Sequence, residues 1–72
     1  MIKFAERLKV ERKKKGVKQS DVANYLGIVT SSYQYYELGR RRPDYEGLVA
    51  LADYFDVSVD YLLGRCDDPR GL

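Results

Sequence analysis

Histidine and tryptophan are missing from this 72-residue chain, and cysteine occurs once, at Cys66. A single thiol cannot close an intrachain disulfide, and without imidazole no Cys/His cage for a metal can be built. The same poverty argues against an enzyme, because general-base chemistry would have to rest on scattered carboxylates. The longest run of apolar residues is LVALA at 48–52, far short of the roughly 20 residues that cross a bilayer. The N-terminal stretch is charged and amphipathic and carries no apolar signal-peptide core. These absences fit a reduced, cytoplasmic protein with no cofactor, no metal and no membrane contact. Cys66 sits in a polar tail and reads as an exposed thiol without a role rather than as a redox sensor. A chain this short permits one small domain, to whose stability a ligand or dimer partner would add.

What is present is charge, unevenly distributed. The net charge is +2, but residues 1–43 carry eleven Lys/Arg against four Asp/Glu, and residues 44–72 carry two against seven. One half can meet a polyanion while the other would be repelled by it, which orients the molecule; the alternative is simply a solvated, dipolar surface.

Hydrophobic spacing predicts an all-α chain of five short helices. Residues 2–15 place Phe4, Ala5, Leu8 and Arg12 on one stripe, and Gly16 ends the segment. Residues 19–26 repeat the spacing with Val22, Ala23 and Leu26, followed by Gly27 for a left-handed turn. A third helix is expected over 30–37, broken by Gly39 and RRRP. Asp44 is a natural N-cap for a fourth helix through Tyr54, with Leu48, Leu51, Ala52 and Phe55 inward. Ser58 is the expected cap of a last short helix containing Tyr61, Leu62 and Leu63, closed by Gly64. The tail from Arg65 onward is expected to fray. Helices at 19–26 and 30–37 joined by a glycine turn have the layout of a helix-turn-helix, although an ordinary αα-hairpin has the same spacing.

The third helix, TSSYQYYE, is dense in hydroxyls and rings. At ~100° per residue, Ser31, Gln34 and Tyr35 fall within about 140° of Thr30. Tyr33 and Tyr36 lie on the other side, where their rings can pack against the first two helices. The outward strip of Thr30, Ser31, Gln34 and Tyr35 is either a solvated face or a set of groups suited to the major groove of DNA. Glutamine pairs bidentately with adenine, Ser and Thr serve either base, and an aromatic edge or Thr methyl meets the thymine methyl. Arg40, Arg41 and Arg42 just beyond, and Lys18 and Gln19 at the start of the preceding helix, are placed to grip phosphates. Two charges fall on inward faces, Arg12 and Glu37. An unpaired buried charge is costly, so the two are expected to pair and tie the first helix to the third.

Taken together, RLKVERKKKGVKQSDVANYLGI and YYELGRRRPDYEGLVALADYFDVSVDYLLGR resemble the Cro/C1-type helix-turn-helix proteins, the phage repressors and small bacterial regulators of the XRE class. The resemblance covers roughly residues 4–65, leaving 66–72 as a polar C-terminal tail. It rests on Gly16, Gln19, Ala23, Leu26, Gly27, Tyr36, Glu37, Gly39, Pro43 and the closing VSVDYLLGR. It implies a compact five-helix bundle of the lambda-repressor type that binds double-stranded DNA, usually as a dimer on a palindromic operator. It places base readout at Thr30, Ser31 and Tyr35 with Gln34 beside them, phosphate contacts at Gln19, Ser32, Arg40, Arg41 and Arg42, and an Arg–Glu tie at Arg12 and Glu37.

Four positions depart from the family's pattern. Lys18 and Val29 stand where a capping hydroxyl is usual, Tyr33 replaces a common aliphatic, and Tyr35 replaces a common polar or basic residue. Thr30 could then cap the third helix instead of reading a base. Tyr61, Leu62 and Leu63 are candidates for a dimer contact and equally for core. The expected function is a sequence-specific transcriptional regulator, a repressor in the first instance. The alternative is an antitoxin-type or accessory interaction module whose DNA binding is autoregulatory.

Overall fold

A computed structural model describes residues 2–70. Its helices are α1 (Phe4–Lys15), α2 (Gln19–Leu26), α3 (Thr30–Glu37), α4 (Tyr45–Phe55) and α5 (Val59–Leu63), with no strand among the described residues. The all-α five-helix architecture expected from the spacing is the one observed. None of these helices is long and apolar enough to cross a membrane.

One device ends all five helices. The backbone turns left-handed at Gly16, Gly27, Gly39, Asp56 and Gly64, and the next N–H reaches back five residues to a helical carbonyl. These bonds run from Val17 to Arg12, Ile28 to Ala23, Arg40 to Tyr35, Val57 to Ala52 and Arg65 to Asp60. After α1, α2 and α4 the residue making this bond is apolar, and Val17, Ile28 and Val57 each pack onto the core. Each chain reversal is thereby fastened to the bundle. At Asp56, φ is 55°, a conformation that Asp tolerates better than most side chains. N-termini are less uniform. The Asp44 carboxylate accepts from the Gly47 N–H at 2.8 Å and the Ser58 hydroxyl from the Tyr61 N–H at 3.0 Å, as expected. Helix α1 starts two residues later than its spacing suggests, and Lys3 offers no side-chain cap.

All five helices contribute to one core of Phe4, Leu8, Val22, Ala23, Tyr33, Leu51, Ala52, Phe55, Tyr61 and Leu62. Leu62 is wholly buried and Tyr61 nearly so, so of the two readings left open for this pair, dimer contact and core, these two side chains take the core: their surface is spent inside the bundle. Leu63 is half-buried, in an apolar groove with Ile2, Phe4, Tyr45 and Leu48.

Three further expectations are corrected around α1 and the tail it holds. Arg12 is not the only charged residue turned inward, because Glu11 is buried too and accepts a hydrogen bond from the Tyr61 hydroxyl at 3.2 Å. Nor is the tail frayed between Arg65 and Arg70. The Arg7 guanidinium lies 4.3 Å from the Tyr61 ring centre and donates to the Tyr61 and Cys66 carbonyls and to the Asp67 carboxylate. The Ser58 N–H donates to the Pro69 carbonyl at 2.7 Å. Cys66, expected to be exposed, is half-buried against the core. Gly71 and Leu72 lie outside the described residues.

Because Leu62 is enclosed on all sides, Leu62→Ala should cost about 2–5 kcal/mol in urea-unfolding experiments. A loss well under 1 kcal/mol would return Leu62 to the surface.

Candidate nucleic-acid interface

Helix α3 has two chemically different sides. Tyr33 is 0% exposed and Glu37 5%, and the half-buried Tyr36 ring meets Tyr33 edge-on at 6.2 Å. On the opposite side Ser31, Gln34 and Tyr35 are exposed, while Thr30 and Ser32 are partly so. The division of the tyrosines follows the helical wheel.

The rotation of α3 is held by a buried ion pair. Arg12 Nε donates to Glu37 Oε2 at 2.6 Å and Arg12 Nη2 to Glu37 Oε1 at 3.2 Å, a two-point grip that joins α1 to the end of α3. Arg12 also donates to the Val17 carbonyl at 3.2 Å. Gln19 joins the pair from α2, its Nε2 donating to Glu37 Oε1 at 3.2 Å. Burial acts most strongly on the Glu37 carboxyl and opposes its ionisation, but hydrogen bonding from its neighbours, Arg12 first, overcomes that and holds it below the usual glutamate range. The hydrogen bond that Arg12 donates to Glu37 correspondingly holds the guanidinium above its ordinary value. The Tyr33 hydroxyl is buried with no partner in hydrogen-bonding geometry, yet burial, and next the nearby Glu37 carboxylate, push its phenol far above the ordinary range.

The start of α3 answers whether Thr30 is a cap. The N-cap position belongs to Val29, whose backbone is extended and whose side chain makes no capping bond, and Thr30 is the first helical residue. Helix α2 also lacks a capping hydroxyl, since the lysine ammonium of Lys18 has nothing to accept with. There Asp21 closes the turn in reverse, its carboxylate accepting the Lys18 N–H at 2.8 Å.

The expected contact residues are only partly brought together. Gln34 Nε2 donates to Gln19 Oε1 at 3.2 Å, linking the outward face of α3 to the start of α2, where Lys18 is exposed. Beyond the other end of α3, the Arg41 guanidinium stands 5.3 Å from the centre of the Tyr35 ring. Arg40, Arg41 and Arg42 are exposed and in no salt bridge among the described residues. Arg42 lies along the apolar groove that holds Tyr45 and Leu63 rather than beside Tyr35. The Arg41–Tyr35 stack was missed in the sequence. Its signal is the glycine at 39, which folds the chain back so that the N–H groups of Arg40 and Arg41 both reach the Tyr35 carbonyl.

A family profile described as helix-turn-helix matches residues 3–62. Over 60 residues the chain is 48% identical to an uncharacterized HTH-type transcriptional regulator, YqaE, of Bacillus subtilis, covering 83% of this chain and 52% of that protein. It is 41% identical over 64 residues to the cryptic phage CTXphi transcriptional repressor RstR of Vibrio cholerae, covering 89% of this chain and 57% of RstR. Among solved structures, the P22 c2 repressor in complex with a synthetic operator superposes with a TM-score of 0.79 at 30% identity, covering 83% of this chain and 91% of that one. The chain spans about half the length of the curated relatives it matches. It belongs to the Cro/C1-type helix-turn-helix family.

Removing one partner of the buried pair leaves the other charge stranded, so Glu37→Ala should cost about 3–5 kcal/mol. In a double-mutant cycle with Arg12→Met, additive effects would show that the two do not interact. The pH dependence has a definite sign. A depressed carboxyl contributes stability that is complete above its unfolded-state value, ordinarily 4.5, and that disappears as pH falls through the lower folded value. Glu37→Gln should therefore flatten the acid limb of a stability–pH curve.

Proposed function

We propose that the chain is a sequence-specific, double-stranded DNA-binding transcriptional regulator, a repressor that binds a palindromic operator as a symmetric dimer. The observation that carries this reading is the polar outer face of α3, held rigidly from behind by Tyr33 and the Arg12–Glu37 pair. An α-helix fits the major groove, and Ser, Thr, Gln and Tyr are side chains that can meet base edges there. The family membership supports the reading, and so does the likeness to a repressor described in complex with its operator.

In this reading Thr30, Ser31, Gln34 and Tyr35 read bases, and Lys18, Gln19, Ser32, Arg40, Arg41 and Arg42 contact phosphates. Residues 1–65 form the DNA-binding unit, with the tail an extension of it. The acidic second half of the sequence faces away from the polyanion. With Tyr61 and Leu62 in the core, Leu63 and the apolar groove around it are left for the dimer contact. Two-fold symmetry would set half-sites about 34–36 Å apart on one face of the duplex.

The experiment is binding measured over a salt series on operator and random DNA. Affinity should fall steeply and linearly on logarithmic axes as counterions are released. Arg41→Ala should weaken every sequence about equally, whereas Ser31→Ala and Tyr35→Ala should each relax preference at a single base position by ~1–3 kcal/mol. If the Ser31 and Tyr35 variants rank all sequences as the parent does, the readout strip is misassigned.

A further inference from the structure

The polar chain behind α3 runs in one direction. Glu37 lies buried between three donors, Arg12 Nε, Arg12 Nη2 and Gln19 Nε2, at 2.6, 3.2 and 3.2 Å. An ionised carboxylate can only accept hydrogen bonds, and with Arg12 gripping both of its oxygens Glu37 remains ionised at neutral pH. Gln19 must therefore turn its NH₂ toward Glu37, which leaves its carbonyl oxygen on the far side. That oxygen accepts from Gln34 Nε2 at 3.2 Å, so Gln34 must in turn direct its NH₂ inward. The two ends of a glutamine amide are normally interchangeable in assignment. Here the buried carboxylate fixes them twice over, first in Gln19 and then in Gln34. Gln34 is exposed, and its Oε1 has no hydrogen-bond donor among the described residues.

From this polarity we infer that the Arg12–Glu37–Gln19 relay makes Gln34 present its carbonyl oxygen to a ligand, so that it selects bases bearing an exocyclic amine, adenine or cytosine, over guanine and thymine. The inference rests on the DNA-binding reading above and assigns Glu37 and Gln19 as positioning residues for a specificity they need not contact. In the major groove adenine offers the N6 donor beside its N7 acceptor and cytosine offers the N4 donor, whereas guanine (O6 and N7) and thymine (O4) offer acceptors and no donor. A freely rotating glutamine amide could satisfy either class. A polarised one meets an acceptor with its own acceptor, which is repulsive, so discrimination comes as much from rejecting guanine and thymine as from binding adenine and cytosine.

The test is selection of bound sequences from random duplex DNA by the full chain and three variants, each also followed by thermal unfolding. Gln34→Ala identifies the base position that depends on this side chain. At that position the parent should favour adenine or cytosine by about tenfold. Glu37→Gln keeps the shape of the side chain but can present either amide end, and should bring that preference to near parity while the Ser31- and Tyr35-dependent positions keep theirs. Gln19→Leu interrupts the relay while keeping both charges of the ion pair. Losing its bond to Glu37 and its proposed phosphate contact should lower affinity for all sequences alike, and the base preference at the Gln34 position should again approach parity, so a poorly folded Glu37 variant does not leave the question open. A purely structural role would weaken all positions together and would not redistribute bases at one. Parental preference retained at the Gln34 position in both relay variants would overturn the inference, as would a parental choice of guanine or thymine there. Selection of a clear site in which no position responds to Gln34→Ala would also overturn it while leaving the DNA-binding reading intact. No site selected by the parent at all would sink that reading itself.

Discussion

The two-point grip of Arg12 on Glu37 is the constraint on which the arrangement of α3 depends. A carboxylate this buried is tolerable only when paired and hydrogen-bonded, and one rotational setting of α3 brings it to the guanidinium on α1. Turning the helix by a single residue, about 100°, would carry Glu37 away from Arg12 and lift Tyr33 out of the core. The pair need not add net stability over an apolar substitute. What it adds is a definite angle, and that angle decides which side chains of α3 face outward. Gln19 extends the same constraint to α2 through its bond to Glu37, so three helices share one polar junction.

Much of this was legible in the sequence because the chain is punctuated. Gly16, Gly27 and Gly64 close helices at the expected places, and Asp44 and Ser58 open them. The wheel for residues 30–37 separated Tyr33 and Tyr36 from Ser31, Gln34 and Tyr35, since burial of two rings on one side leaves little freedom for the rest. The expectation that Arg12 and Glu37 pair followed from the cost of leaving either alone. Glu11 was legible in principle: seven residues after Phe4, it lies about 20° from it on the wheel, closer than Arg12 does.

Other features left no periodic trace. The tail is held by bonds from the Arg7 guanidinium to backbone carbonyls and by the Ser58–Pro69 backbone bond, and carbonyls are the same in every sequence. Tyr61, Leu62 and Leu63 form an apolar run in a helix of five residues. Three consecutive apolar residues cannot all point one way, and only the packed structure says that Tyr61 and Leu62 turn inward while Leu63 reaches the groove.

The missing cap on α3 acquires a meaning from the way the helix is held. A side-chain cap is worth roughly 1 kcal/mol, and α3, at eight residues, is too short to persist by its own propensity. Its order comes from tertiary anchors behind it, the buried Tyr33 ring and the Glu37 carboxylate. With those in place the first turn does not need a hydroxyl folded back onto its own backbone. Val29 fills the N-cap position without bonding to it, and the Thr30 hydroxyl is not consumed as a cap. The Thr30 and Ser31 hydroxyls at the front of α3 are thus held in place from the rear without being spent on the helix itself, which is what the proposed recognition surface would require: groups fixed in position with hydrogen-bonding capacity left over. On the proposed DNA-binding reading, the local rule broken at Val29 is the kind of exception expected where a surface is kept for a ligand, its cost met by packing elsewhere in the bundle.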